Sequence, residues 1–179
     1  MNILQIARRA RTLILGAGSA FLATSLPNGA HAQGSAGGDT ALARQVRSAR
    51  VSLARALSVA SARGRPISAK YEIEDGKLQL SVYTAKAGRF WEVIVNHQTG
   101  HIAKVEEIKE GDDLTAAKTQ QDAMAKAKRS LSAAVSRALK ATPGSRAVSV
   151  TPALEGGKAV ASISLATAGT TKTVSEPLD

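Results

Sequence analysis

The sequence predicts an α+β protein made of two helix-plus-antiparallel-sheet modules, of which the second is divergent and shortened. Three observations lead to this prediction: an alternating stretch with glycine turns at 66–108, an amphipathic stretch before it, and the same order of signals after it. Alternation of apolar and polar residues is typical of half-buried strands, whereas apolar steps of three and four are typical of helices.

The stretch 66–108 predicts a meander of about four antiparallel strands. It contains turn signals at Asp75-Gly76, at 86–88 and at 98–100, each of which ends in a glycine that can adopt the positive φ of a tight turn. Between the turns, apolar residues alternate with polar ones as in a strand with one buried face. Because aromatic residues on strands that face an amphipathic helix are usually core residues, we expect Trp91 to be buried.

Three runs in this stretch, 71–77, 90–95 and 96–102, resemble the PepSY domain family. That family combines a helix with strands, an aromatic-Glu-Val strand and a closing turn of the form Asp-x-x-Thr-Gly. Here Asn96 stands in place of the usual Asp. The resemblance covers residues 40–109 and implies a PepSY-like domain without a catalytic residue at this turn. Because PepSY domains also occur in peptidase propeptides, it implies contact with a protein partner, such as a peptidase of the cell envelope.

Residues 1–32 predict a signal peptide. Three arginines precede an apolar run at 13–23, and a small-x-small site then places the cleavage between Ala32 and Gln33. The apolar run is too short to span a bilayer stably, so we expect a periplasmic or secreted protein that is not an integral membrane protein. Twin-arginine export and an uncleaved anchor are the two alternatives.

Two helices are predicted from apolar periodicity. After a flexible Gly- and Ser-rich linker at 33–39, residues 42–60 carry apolar side chains at steps of three and four. The second helix is predicted over 115–141, after a polar connector at 110–114. One face of the first helix is basic and could bind a polyanion; it consists of Arg44, Arg47, Arg50 and Arg55.

A second module is predicted over 115–179, because the order of helix, stop, strand, glycine turn and strand occurs again. At a shift of 81 positions, Glu155, Gly157 and Lys158 overlie the Glu-Asp-Gly-Lys turn of the first module. Asp179 then corresponds to Gln98, so this module lacks the fourth strand of the first.

A missing fourth strand would leave an unpaired edge, which proteins blunt or use to pair with another chain. The predicted partner-binding residues of that edge are Thr170, Thr171, Lys172, Thr173 and Val174. A partner strand or a second copy of this chain would complete the sheet in trans. The alternative is that the sheet of the first module covers the edge.

Catalytic signals are missing from the sequence. It has no cysteine and no hydrolase, zinc-peptidase or nucleotide-binding motif, so we predict a protein that is not an enzyme and has no cofactor. His97 and His101 flank the turn at 98–100 and are candidates for binding a divalent metal, but two imidazoles without a third ligand make an incomplete site. Glu72 and Glu74 are expected on a solvated face of the sheet.

The net charge of +10 favours polyanions as ligands. Export and the separation of aromatic from basic residues argue against nucleic acid. The sequence therefore predicts a non-enzymatic exported binding or regulatory protein with a protein partner in the cell envelope. The alternative is a polyanion or metal-ion binder that uses the arginine face or the two histidines.

Overall fold

The computed structural model describes residues 36–167 and 170–179, so the predicted signal peptide and its cleavage site lie outside the described residues. Within them the chain forms helices and antiparallel strands, which confirms the α+β class. The helices are α1 (Ala36–Ser48), α2 (Leu53–Ala60), α3 (Gly111–Lys126) and α4 (Leu131–Ala141). The strands are β1 (Arg65–Glu74), β2 (Lys77–Lys86), β3 (Arg89–Val95), β4 (Ile102–Ile108), β5 (Arg146–Glu155), β6 (Lys158–Ala166) and β7 (Thr171–Pro177).

All of these strands belong to one antiparallel sheet with the order β4-β3-β2-β1-β5-β6-β7. The predicted four-stranded meander is confirmed as β1–β4. One row of directly opposed residues crosses the sheet from edge to edge, and its five central members are at most 1% exposed. The row consists of Val105, Val93, Val82, Ala69, Val150, Ile163 and Val174. Buried residues of both halves of the chain join one hydrophobic core around it.

The strand pairing repeats along the chain. Every partner pair of β5 and β6 lies 81 positions after a pair of β1 and β2, and the bulge at 66–68 recurs at 147–149. Two pairs join the halves, and one of them, Ala69 with Val150, also links residues 81 positions apart. This agreement is an argument for the duplicated module, which stays a hypothesis. The predicted domain division stays a prediction as well, because one sheet and one core run through both halves.

The predicted helix over 42–60 is wrong, because α1 ends at Ser48 and α2 begins at Leu53. The backbone N–H groups of Arg50 and Val51 both donate to the His97 carbonyl oxygen, at 3.0 and 3.0 Å. Ser52 then caps α2 by accepting from the Arg55 N–H at 3.2 Å. The linker prediction is also wrong for residues 36–39, which belong to α1.

The second predicted helix, 115–141, is interrupted in the same way. Lys128 and Arg129 donate their backbone N–H groups to the Leu178 carbonyl oxygen, at 2.7 and 2.9 Å. The Ser130 hydroxyl caps α4 by accepting from the Ala133 N–H at 3.2 Å. Leu178 lies 81 positions after His97, so equivalent carbonyl groups hold both breaks. Because α3 begins at Gly111, the predicted connector at 110–114 is largely helical.

Two arginines tie the halves together. The Arg65 Nη2 atom at the start of β1 donates to the Met124 carbonyl oxygen in α3 at 2.6 Å. The Arg146 Nη2 atom at the start of β5 donates to the Ala49 carbonyl oxygen after α1 at 2.8 Å. Each strand start therefore donates to a carbonyl near the helix end of the other half, and the Met124 carbonyl accepts a second bond from the Ala127 N–H at 3.2 Å.

Candidate functional site

The predicted partner-binding segment lies at one edge of the sheet. β7 pairs only with β6, from Ala166 opposite Thr171 to Val160 opposite Pro177, and it is the outermost described strand on its side. The alternative that the sheet of the first half covers this edge is wrong, because that sheet joins at β1 and β5 instead. Thr170 precedes β7 in the turn, where its carbonyl accepts from the Thr167 N–H at 2.9 Å.

The first part of β7, Thr171 to Val174, carries one charged side chain, Lys172, among threonines and a valine. Lys172 and Thr173 are exposed, whereas Val174 is half-buried and packs against the core. Near the end of the strand, Glu176 pairs with Arg137 of α4, at 3.3 Å between Oε2 and Nε. Lys172, Glu176 and Pro177 protect this edge only in part, because Thr171, Thr173 and Val174 carry no charge.

The opposite edge, β4, is protected by charge. The Lys104 Nζ and Glu106 Oε1 atoms lie 2.9 Å apart, and the Arg89 Nε atom lies 2.7 Å from Glu107 Oε1. The hydrogen bond from Arg89 holds the pKa of Glu107 below its usual value, so this carboxylate stays ionised near neutral pH. Lys109 Nζ approaches the other Glu107 oxygen at 3.5 Å. Ionised side chains on an edge strand oppose pairing with another strand.

The two predicted metal candidates lie in the turn between β3 and β4. The Asn96 side-chain oxygen accepts from the backbone N–H groups of Gln98 and Thr99, at 2.9 and 3.0 Å, so Asn96 stabilises the turn. His101 is exposed, and the His97 Nδ1 atom lies 3.1 Å from Gln98 Nε2. Among the described residues there is no group of three histidine or acidic side chains that could hold a metal ion. The observed contribution of His97 comes from its backbone carbonyl, which accepts from Arg50 and Val51 and so fixes the break between α1 and α2.

The predicted arginine face is not one continuous helical face. Arg44 and Arg47 lie on α1, Arg50 lies in the break and Arg55 lies on α2. All four are exposed. The prediction of one basic face on a single helix is wrong, because the helix is broken between Arg47 and Arg55. Polyanion binding by these arginines stays a prediction.

Trp91 is half-buried, so the prediction that it lies in the core is wrong. It stands opposite Glu107 of the edge strand β4 and beside an open cleft of about 240 Å³. The Arg89 guanidinium lies 5.6 Å from the centre of its ring, a distance at which a cation and an aromatic face attract each other. Arg63 and Lys86 line the same cleft. We call Arg63, Lys86, Arg89 and Trp91 the basic corner.

A polar network occupies the sheet at β1–β3. Lys70 Nζ lies 2.7 Å from Glu72 Oε2, and the Ser81 hydroxyl donates to the other Glu72 oxygen at 3.3 Å. The Tyr83 hydroxyl donates to Glu92 at 3.4 Å, and both residues are buried. Glu72 is therefore part of a bonded network rather than of the solvated face that the sequence predicted.

No helix among the described residues is both long and apolar enough to cross a bilayer. No protein-family model matches the chain, and no curated protein matches it. A solved structure from Clostridium difficile 630, described as a candidate lipoprotein, is similar over 72% of this chain and 95% of its own. The identity is 12% and the TM-score is 0.39, which is too low for an argument about fold or function. The PepSY resemblance therefore stays a hypothesis.

Proposed function

We propose that this chain is a non-enzymatic exported protein that binds a protein partner of the cell envelope through the β7 edge. The observation that carries the proposal is the contrast between the two edges. β4 is lined with ion pairs, whereas residues 170–174 carry one lysine among threonines and a valine. A strand at the edge of a sheet offers backbone N–H and C=O groups to an added strand.

In this proposal the segment Thr170, Thr171, Lys172, Thr173 and Val174 contributes mainly backbone hydrogen bonds. Successive side chains of a strand point to opposite faces, so Lys172 and Val174 share one face and Thr171 and Thr173 the other. Val174 packs against the core and offers the added strand an apolar neighbour. The partner is either another protein or a second copy of this chain.

Restraint of an envelope peptidase is the form of partner binding that the PepSY resemblance implies. A propeptide-like protein restrains a peptidase by occupying its surface and needs no catalytic group of its own. This part of the proposal rests on the resemblance and on the predicted signal peptide, which places the protein in the periplasm or outside the cell.

A crosslinking pull-down from envelope extract tests the edge. We expect Thr173→Lys to abolish capture of the partner, because it places a second charge next to Lys172 on an exposed edge. The matched control is Ala103→Lys, which adds the same charge to an exposed position of β4. Capture by the Thr173 variant at the level of the unmodified protein would contradict the proposal, as would loss only with the Ala103 variant.

The second candidate function is polyanion binding at the basic corner. Arg63 and Lys86 have no ion-pair partner among the described residues, and both flank the half-buried ring of Trp91. Contacts with exposed phosphate or carboxylate groups are screened by salt. Binding that collapses between about 50 and 200 mM salt therefore indicates a polyanion, whereas a strand added to β7 persists.

A further inference from the structure

A cleft of about 300 Å³ lies where the break between α3 and α4 meets α2 and the start of β1. We call it the α3–α4 cleft. Leu57, Met124 and Leu131 supply its apolar wall, and all three are at most 2% exposed. Its volume is at the lower limit of small-molecule sites, so it suits a small ligand.

The polar side of the α3–α4 cleft is cationic. Arg65, Lys128 and Arg129 line it, and none of the described residues that line it is acidic. Lys128 and Arg129 are exposed and form no ion pair with any described residue. The Arg65 guanidinium makes one described hydrogen bond, to the Met124 carbonyl, although it has five N–H donors. Cations beside an apolar wall attract an anionic group more strongly than cations in open solvent.

The first half of the chain has an arginine beside its own break between helices, but with a tyrosine hydroxyl next to it. There the buried Tyr71 hydroxyl donates to the Val51 carbonyl oxygen, with Arg146 beside it. The residue 81 positions after Tyr71 is Pro152, which has no hydroxyl group. Arg65 corresponds to Arg146 at the same spacing. The second half therefore keeps the cation and the break between helices but lacks the oxygen-bearing side chain.

We propose that the α3–α4 cleft binds a carboxylate attached to a short apolar group. The carboxylate accepts hydrogen bonds from Arg65 and Arg129 with Lys128 nearby, and the apolar group contacts Leu57 and Leu131. Two sources share this chemistry, the C-terminal residue of a peptide and a free short-chain fatty acid. The site is separate from the β7 edge and does not depend on the proposed function.

Titration of the whole chain, followed by the backbone amide NMR signals of residues 127–132, tests the proposal. The probes are N-acetyl-leucine for a peptide terminus, hexanoate for a fatty acid, and N-acetyl-leucinamide as the uncharged control. We expect saturable shifts with at least one acid and about tenfold weaker binding of the amide, because hydrogen bonds to charged groups are the stronger ones. The acid that binds identifies the source. Equal binding of acid and amide, or no binding of either acid, would overturn the proposal.

Two variants separate charge from shape. Arg129→Gln removes one cation and leaves its backbone bond to Leu178, so we expect about tenfold weaker binding of the acid. Lys140→Gln on the exposed side of α4 is the matched control and should leave the affinity unchanged. Ser132→Leu fills the cleft at a half-buried position and should abolish binding while the cations remain. Unchanged affinity in both the Arg129 and the Ser132 variants would place the ligand elsewhere and overturn the proposal.

Discussion

At the scale of single residues, Tyr71 connects the two halves of the molecule through one hydroxyl group. It is 2% exposed and donates to the Val51 carbonyl oxygen in the break between α1 and α2. Arg146 of the second half lies beside it. A buried phenol with a satisfied hydroxyl packs like Phe and also fixes the position of the break.

Tyr71→Phe should lower the free energy of unfolding by about 1 kcal/mol at neutral pH, because it removes one buried hydrogen bond. Burial raises the pKa of Tyr71 above its ordinary value of 10.0, and the charge and hydrogen bond of Arg146 oppose that rise. The stability contributed by the neutral phenol is thus present below about pH 10 and is lost as the pH rises through the folded-state value. Between about pH 9 and 11, the free energy of unfolding measured with urea should therefore fall less for the Phe variant than for the unmodified protein. If the free energy of unfolding falls equally in both proteins, a group other than Tyr71 causes the pH dependence.

Trp91 and Tyr83 show which part of residue burial could be predicted. Alternation assigns each residue to a face, but it does not show how far the other elements cover that face. Trp91 stands beside the edge strand β4 and next to an open cleft, so part of its ring is exposed. Tyr83 lies on β2, nearer the middle of the sheet, and is 2% exposed. Trp91 and Tyr83 lie on opposite faces of the sheet, because Tyr83 is paired with Glu92, the neighbour of Trp91. Val93, on the same strand and face as Trp91, is fully buried, so burial depends on what covers each position, and a local pattern does not contain that.

At the scale of elements, the turn glycines predicted the strands of the first half correctly, whereas the helix breaks were missed. The apolar residues continue in step through the first break, from Val46 and Ala49 to Leu53 and Leu57. The break depends on the His97 carbonyl, which lies far away in sequence. Non-local acceptors of this kind leave no periodic signal, although a serine before each second helix was a visible capping signal.

Ser52→Ala should lower the free energy of unfolding by about 1 kcal/mol, the usual cost of losing a helix N-cap. The Ser52 hydroxyl accepts from the Arg55 N–H, and no other described side chain caps this end of α2. Ser58→Ala is the matched control, because Ser58 is an exposed serine of the same helix with no capping role. Chemical unfolding of both variants measures the difference. If the two substitutions cost the same, the hydroxyl of Ser52 does not hold the break.

At the scale of the whole molecule, the order of the strands could not be predicted from the sequence. The turns and the alternation of side chains predict that the strands form. They do not predict that β1 pairs with β5, because this pairing depends on contacts between residues far apart in the sequence. That contact places the sheet of the first half away from β7 and leaves β4 and β7 as the two outer strands. The candidate segment 170–174 therefore lies at an edge, as the proposed binding of a partner strand requires.

Hydrogen exchange on the isolated chain tests whether that edge is open. β3 lies between two strands, so we expect strong protection of its amides at 90–95, whereas β7 has a strand on one side only. The amides of 170–174 should exchange at least about tenfold faster at low protein concentration, because edge groups open more readily than central ones. The amides of β4, the other outer strand, are the internal control and should also exchange fast. A rise in β7 protection with concentration, together with a dimer in light scattering, would identify a second copy of this chain as the added strand. Protection of 170–174 equal to that of 90–95 in a monomer would mean that the edge is already filled, and no partner could then pair with it.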